Sequence, residues 1–128
     1  HAIKAGADFV TPDGEVVPNC RLTRPADPPK RYAYCSDTLF RPEIIPFIEG
    51  VDLLYHEATF LHCEAARAKE TFHSTAQQAA EIARQAHVKR LLIGHYSARY
   101  ETLDALKQEA DAIFPGTILA QEGLQLSL

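Results

Sequence analysis

The sequence has no methionine and no apolar run longer than a strand, and each absence narrows the reading. With His1 first and no Met anywhere, these residues are expected to belong to a larger parent chain. Runs such as Val51–Tyr55 and Arg90–Gly94 fall far short of the roughly 20 residues a membrane span requires, so no membrane crossing is expected. The opening HAIKAGADFV lacks the basic start, apolar middle and small-residue cleavage site of a secretory signal, which makes a cytoplasmic location the default expectation. Cysteine is scarce: Cys20, Cys35 and Cys63 are odd in number and irregular in spacing, which fits neither a disulfide framework nor a CxxC zinc knuckle. Free, buried thiols are expected instead. An excess of positive charge is also missing. Lys and Arg number 13 against 17 Asp and Glu, for a net charge of -4 and a pI near 5.8. That balance excludes a general nucleic-acid clamp, because non-specific phosphate binding rests on cationic excess. Were RNA the substrate, most of its docking surface would lie elsewhere.

What is present is ordinary for one globular domain: 128 residues, 46% hydrophobic and 23% charged. In Ala5–Val17 the triplet Pro12-Asp13-Gly14 is a turn signal between two β-favouring runs, and a hairpin is expected there. Four prolines between Pro18 and Lys30 remove amide donors and fix φ, so that stretch reads as a loop. Beyond it, Arg31–Cys35 reads as a strand, Pro42–Glu49 as a short helix and Val51–Tyr55 as a buried strand. Ser74-Thr75-Ala76-Gln77 has the pattern of a capping box, with Gln77 reaching back, and opens a helix running to Ala86. Leu91–Ile93 is the next strand and Leu103–Ile113 the next helix, with Thr117–Ala120 and Leu124–Leu128 as closing short strands. This alternation implies an α/β layer with a largely parallel or mixed sheet.

In such a sheet, polar residues just after strands project into the crevice at the strands' carboxyl ends, where ligands bind. Asp37 follows the first strand, His56 and Glu57 the second, and His95 the third, while His73 stands just ahead of the capped helix. Carboxylate with imidazole suits zinc or manganese, and also suits general acid and base work near neutral pH. Each residue also has a plainer reading. Asp37, in SDT, could cap the following helix. His56, beside an apolar strand, reads as a satisfied core histidine, and His62 and His87 as surface residues. Glu57 and His73 could be a structural ion pair, and Arg90 and Arg99 ordinary solvated charges. Asp37 and His95 alone would be two ligands where a catalytic zinc usually takes three. From the residues alone, the site is incomplete.

Four segments in one order change that reading: YCSDT at 34–38, LLYHEATF at 53–60, HSTAQQAAEIA at 73–83 and LLIGHYSARY at 91–100. Together they resemble ribonuclease Z, the tRNA 3′-processing endonuclease of the metallo-β-lactamase superfamily, from about Gly6 onward. The closing FPGTILAQEGLQLSL is similar to that family's last strands. The resemblance implies the C-terminal half of an αββα sandwich, a mixed sheet with flanking helices. It implies a zinc-dependent phosphodiesterase that removes 3′ trailers from tRNA precursors and leaves a 3′-hydroxyl. Asp37 matches the aspartate that bridges two zinc ions, and His95 the histidine that completes the second metal site. Glu57 and His73 match the pair assigned to proton delivery, with His73 near the leaving group and Glu57 orienting it. Ser97 and Arg99 match positions beside the RNA end, where a guanidinium can grip phosphate.

The departures carry equal weight. The family usually has Gly before its bridging aspartate, and this chain has Ser36. The HxHxDH motif that supplies most first-site ligands is absent, as are the middle histidine ligand and the arm that grips the tRNA body. These 128 residues are therefore expected to be the C-terminal part of a single domain and to be inactive alone. Roughly half a sandwich should leave an apolar sheet face uncovered. A homodimer, or pairing with the separate N-terminal half, would cover it. Two other readings stand beside this one: a hydrolase of the same fold with a different substrate, and a non-catalytic dimerisation fragment.

Overall fold

Strands and helices alternate through the computed structural model, which describes residues 1–128, and the parallel pairing of the strands decides where the polar residues meet. The expected hairpin is formed by β1 (Phe9–Val10) and β2 (Val16–Val17), antiparallel, with Gly14 at φ 84° in the turn. The segment after it is not wholly irregular. A one-turn helix, α1 (Asn19–Leu22), starts behind Pro18, whose missing amide costs nothing at a helix start. Asn19 holds it in place. Its backbone amide donates to Asp8 Oδ1 at 2.7 Å and its Nδ2 to the carbonyls of Ile3 and Ala7 at 2.7 and 2.8 Å.

The main sheet has the order β3 (Tyr32–Cys35), β4 (Leu53–Glu57), β5 (Leu91–Gly94), β6 (Ile118–Leu119), and every pairing in it is parallel. Antiparallel pairing is confined to the separate hairpin. The connections carry α2 (Ile45–Ile48, behind a 3₁₀ turn at Pro42–Ile44), α3 (Ala65–Glu70), α4 (Ala76–Gln85) and α5 (Asp104–Asp111). On α4 the buried residues Ala76, Ala79, Ala80, Ile82 and Ala83 recur at helical spacing, and the small alanines let the helix sit close to Leu54, Leu91 and Ile93 of the sheet. Leu106 and Ala110 of α5 complete that core. The opposite sheet face is less covered: Tyr32 and Tyr34 are exposed, and Tyr55 and Leu92 half-buried.

Three further details correct the expectations. The capping box belongs to Thr75 and Gln78, one residue later than the sequence pattern suggests: Thr75 Oγ1 accepts the Gln78 amide at 3.2 Å and Gln78 Oε1 the Thr75 amide at 3.0 Å. Ser74 is committed elsewhere, donating its hydroxyl to the Thr38 carbonyl at 2.7 Å. Leu124–Leu128 forms no strand. Its alternate leucines instead line a groove with Tyr32, Leu53 and Leu92 of the open sheet face. The thiols are free but not buried, for Cys20 and Cys63 are exposed and Cys35 is half-buried.

At the far end of the sheet, Asp52 ties the strand starts together. It accepts the Arg31 amide at 2.8 Å and the Lys89 ammonium at 2.7 Å, and together these hold its carboxyl at about 2. On the open face the rings of Tyr34 and Tyr55 stack at 4.6 Å. Gly94 makes room for Tyr55, since a Cβ there would lie 2.5 Å from the tyrosine hydroxyl.

Candidate active site

The parallel register sets Cys35 beside His56 and Glu57 beside Gly94, so the residues that follow β3, β4 and β5 emerge at one edge. Two of them leave their strands through left-handed backbone, Asp37 at φ 49° and His95 at φ 59°. Aspartate and histidine tolerate that region better than most side chains, and such conformations cluster at functional sites. The left-handed residue is Asp37 and not Ser36, so the position ahead of it does not require glycine. Asp37 caps no helix, because the next turn begins behind Arg41.

His95 Nε2 lies 3.4 Å from Asp37 Oδ1. The His73 ring sits 5.1 Å from that of His95, centroid to centroid. One ligand atom from each of Asp37, His73 and His95 falls within 4.8 Å of the other two. Sequence reasoning placed Asp37 and His95 together and kept His73 apart from metal. The fold brings all three to one point. A carboxylate with two imidazoles, open to solvent on one side, is a donor set that suits zinc.

Glu57 lies directly behind this trio and is wholly buried. Its Oε1 accepts the Thr38 amide at 2.6 Å, and its Oε2 accepts the Thr59 hydroxyl at 2.6 Å and the Ser74 amide at 3.0 Å. His73 Nδ1 lies 3.1 Å from Oε2 and 3.2 Å from Oε1. Four donors thus surround a carboxylate that would otherwise be costly to bury. With Nδ1 turned to Glu57, His73 keeps Nε2 free of that contact. Thr38, Thr59 and Ser74 were missed as site residues by sequence reasoning. Thr59 and Ser74 lie inside the HEAT and HST segments, where a hydroxyl next to a candidate charged residue was the available signal.

His56 stays on the core side of β4, fully buried, with Nδ1 2.8 Å from the Glu57 carbonyl. Burial pushes its pKa down, favouring the uncharged ring. It is a core histidine as expected, but half-satisfied, because Nε2 has no partner. His62 and His87 are exposed.

The loop after His95 is pinned from two directions. The Ser97 amide donates to the Thr59 carbonyl at 3.1 Å, while the Tyr96 hydroxyl donates to the Ile93 carbonyl at 2.5 Å and accepts the Ala120 amide at 3.0 Å. Arg99 is not an independent solvated charge: it pairs with Glu64 and lies 5.0 Å over the Phe60 ring. Lys69, to which sequence reasoning gave no role, lines a cleft with Leu39, Phe40, His73 and Gln78.

A family model described as a β-lactamase superfamily domain matches residues 19–96. Ribonuclease Z of Parabacteroides distasonis is 77% identical over 126 residues, covering 98% of this chain and 41% of that relative. The chain thus spans about two fifths of the length of the curated relatives it matches. Among solved structures, the metallo-β-lactamase fold protein YhfI from Bacillus subtilis superposes with a TM-score of 0.65 at 29% identity, covering 71% of this chain and 37% of the other. Human tRNase Z, short form, gives a TM-score of 0.50 at 35% identity, with coverages of 65% and 27%.

Proposed function

The chain belongs to the β-lactamase superfamily, and from that premise we propose that it is the C-terminal part of a zinc-dependent endoribonuclease that removes 3′ trailers from tRNA precursors. The observation that carries this reading is the convergence of Asp37, His73 and His95 in front of the buried Glu57. Asp37 and His95 would hold metal, with the remaining ligands of a two-zinc centre supplied by the HxHxDH half of the domain. When bound, a zinc pair activates water as the nucleophile and stabilises charge on the scissile phosphate.

This chain's own residues supply the rest. Glu57 fixes the ring of His73 through Nδ1, which leaves Nε2 as the atom that can pass a proton to the departing ribose oxygen. That oxygen leaves as the 3′-hydroxyl. Lys69 lines the cleft beside His73 and brings positive charge toward the phosphodiester. Ser97 and Arg99 would flank the RNA end, with Arg99 exchanging Glu64 for phosphate.

The exposed apolar face around Tyr32, Tyr34, Leu124 and Leu128 is where the N-terminal half would pack, with a homodimer as the wider assembly. No helix is long and apolar enough to cross a membrane, which accords with a cytoplasmic enzyme. The experiment that tests the proposal is elemental analysis together with cleavage of a 3′-extended tRNA, on this chain and on the full-length parent. Metal-free, inactive 128-residue chains beside a zinc-loaded, cleaving parent support it. A parent that cleaves a small chromogenic diester but spares tRNA overturns the substrate assignment. About two zincs on the short chain alone would overturn the half-site.

A further inference from the structure

We infer that Thr59 is the positioning residue for His95: its side chain holds the imidazole as the Nδ1–H tautomer, so that Nε2 faces Asp37 as a free lone pair. The inference rests on the reading of His95 as a metal ligand and extends it to a residue to which no role has been given. Thr59 Oγ1 has three close polar neighbours, Glu57 Oε2 at 2.6 Å, the His95 carbonyl at 2.8 Å and His95 Nδ1 at 2.9 Å. A hydroxyl has one proton to donate. Two of the three neighbours are oxygens placed to accept, the His95 carbonyl and the Glu57 carboxylate whose two oxygens already take the Thr38 and Ser74 amides, and the nearest of them is that carboxylate. Its distance falls in the range of an O–H···O⁻ bond.

Were the proton given to Nδ1 instead, the hydroxyl oxygen would face Glu57 Oε2 at 2.6 Å with no hydrogen between them, a lone-pair contact inside a buried site. The proton therefore goes to one of the two oxygens or is shared between them, and Nδ1 is the one neighbour left that can supply a hydrogen to the hydroxyl, which it does only if it carries one. A neutral imidazole with hydrogen on Nδ1 has its lone pair on Nε2. That nitrogen is the one 3.4 Å from Asp37.

Thr59 is well placed to impose this. Its residue is buried, its amide donates to the Ser74 carbonyl at 3.0 Å, and its carbonyl accepts the Ser97 amide at 3.1 Å, so its backbone is clamped between the HST and HYS segments. His95 stands in left-handed backbone and needs such outside support to keep one ring orientation. Glu57 consequently orders both imidazoles, His73 by direct contact and His95 through the Thr59 hydroxyl. Partners of this kind behind a metal ligand typically alter metal affinity by about 10- to 100-fold.

The test uses the full-length protein with ¹⁵N-labelled histidine rings, in metal-free form and at a pH where His95 is neutral. The expected spectrum shows His95 protonated on Nδ1. Wild-type His95 protonated on Nε2 overturns the inference, whatever any variant does. Thr59→Val keeps the shape and removes the hydroxyl, so it is expected to mix the tautomers and weaken zinc binding by about 10- to 100-fold. Thr59→Ser is expected to restore both. A Thr59→Val protein with unchanged tautomer and unchanged zinc affinity also overturns it. Zinc titration of the wild type separates the two layers: if zinc fails to bind while Nδ1 is protonated, the metal assignment falls and the role of Thr59 stands.

Discussion

His73 Nδ1 meets Glu57 Oε2 at 3.1 Å, and the carboxylate it meets has no exposed surface at all. A histidine held from behind in this way can turn only one nitrogen toward a substrate. The same contact couples the stability of the site to its chemistry, and two substitutions separate these roles.

Glu57→Gln replaces an acceptor for four donors by a group that brings two hydrogens of its own. Unpaired donors in a buried site cost about 1–3 kcal/mol each, so a clear drop in the urea midpoint is expected. Loss of general-acid positioning should lower tRNA cleavage by about 10²- to 10⁴-fold. His73→Ala in the full-length protein should show a similar loss of cleavage while retaining zinc by elemental analysis. If zinc disappears with His73, the residue is a third ligand and not the proton donor.

Under the proposed function, Arg99 would exchange Glu64 for an RNA phosphate. Its present partners are Glu64 and the face of Phe60. Arg99→Ala should weaken binding of tRNA precursors uniformly across sequences and reduce the salt slope of binding by about 1. Glu64→Gln, which frees the guanidinium, should strengthen binding at low salt. Titration of labelled tRNA at several salt concentrations reads both. An unchanged slope in Arg99→Ala would remove this residue from the RNA interface.

Asp52 predicts a pH dependence at the opposite end of the sheet. Lys89 first, then the Arg31 amide, holds its carboxyl at about 2, below the roughly 3.9 of an unfolded aspartate. A depressed folded value means that the contribution is fully present above about pH 4 and is lost as pH falls toward 2. Thermal midpoints measured between those limits should fall more steeply for the wild type than for Asp52→Asn. Parallel curves would show that the ion pair contributes nothing.

Gly94→Ala tests whether the close approach of Tyr55 matters. The added methyl would lie 2.5 Å from the tyrosine hydroxyl and 2.8 and 2.9 Å from two ring carbons. The ring must move, breaking its stack on Tyr34, at a cost of about 1–3 kcal/mol by analogy with overpacking. In a Tyr55→Ala background the same substitution should cost far less. Additive effects in that double-mutant cycle would mean that the penalty comes from the backbone and not from Tyr55.

The sequence by itself determined what is local. Pro12-Asp13-Gly14 dictated the hairpin, alanine spacing gave α4 its buried face, and strands alternating with helices implied a largely parallel or mixed sheet, whose pairings the fold made parallel throughout. The order of strand ends then placed Asp37, Glu57 and His95 at one edge, and the four motif segments named the family. Only the tertiary structure decided what depends on partners distant in sequence. Ser74 could have capped α4 by its own chemistry, but its hydroxyl is taken by the Thr38 carbonyl, and the cap passed to Thr75. Asn19 turned a proline-rich stretch into one helical turn by reaching back to Ile3, Ala7 and Asp8. The leucines of the tail alternate as a strand would, yet they pair with no strand and line a groove with Tyr32, Leu53 and Leu92, with Leu124 and Leu128 left exposed. His73 joins Asp37 and His95 because Glu57, buried on another strand, holds its ring there. Spacing along the chain carries no record of which donor a buried carboxylate will claim, because that choice is made when the fold removes water and every polar group needs a partner.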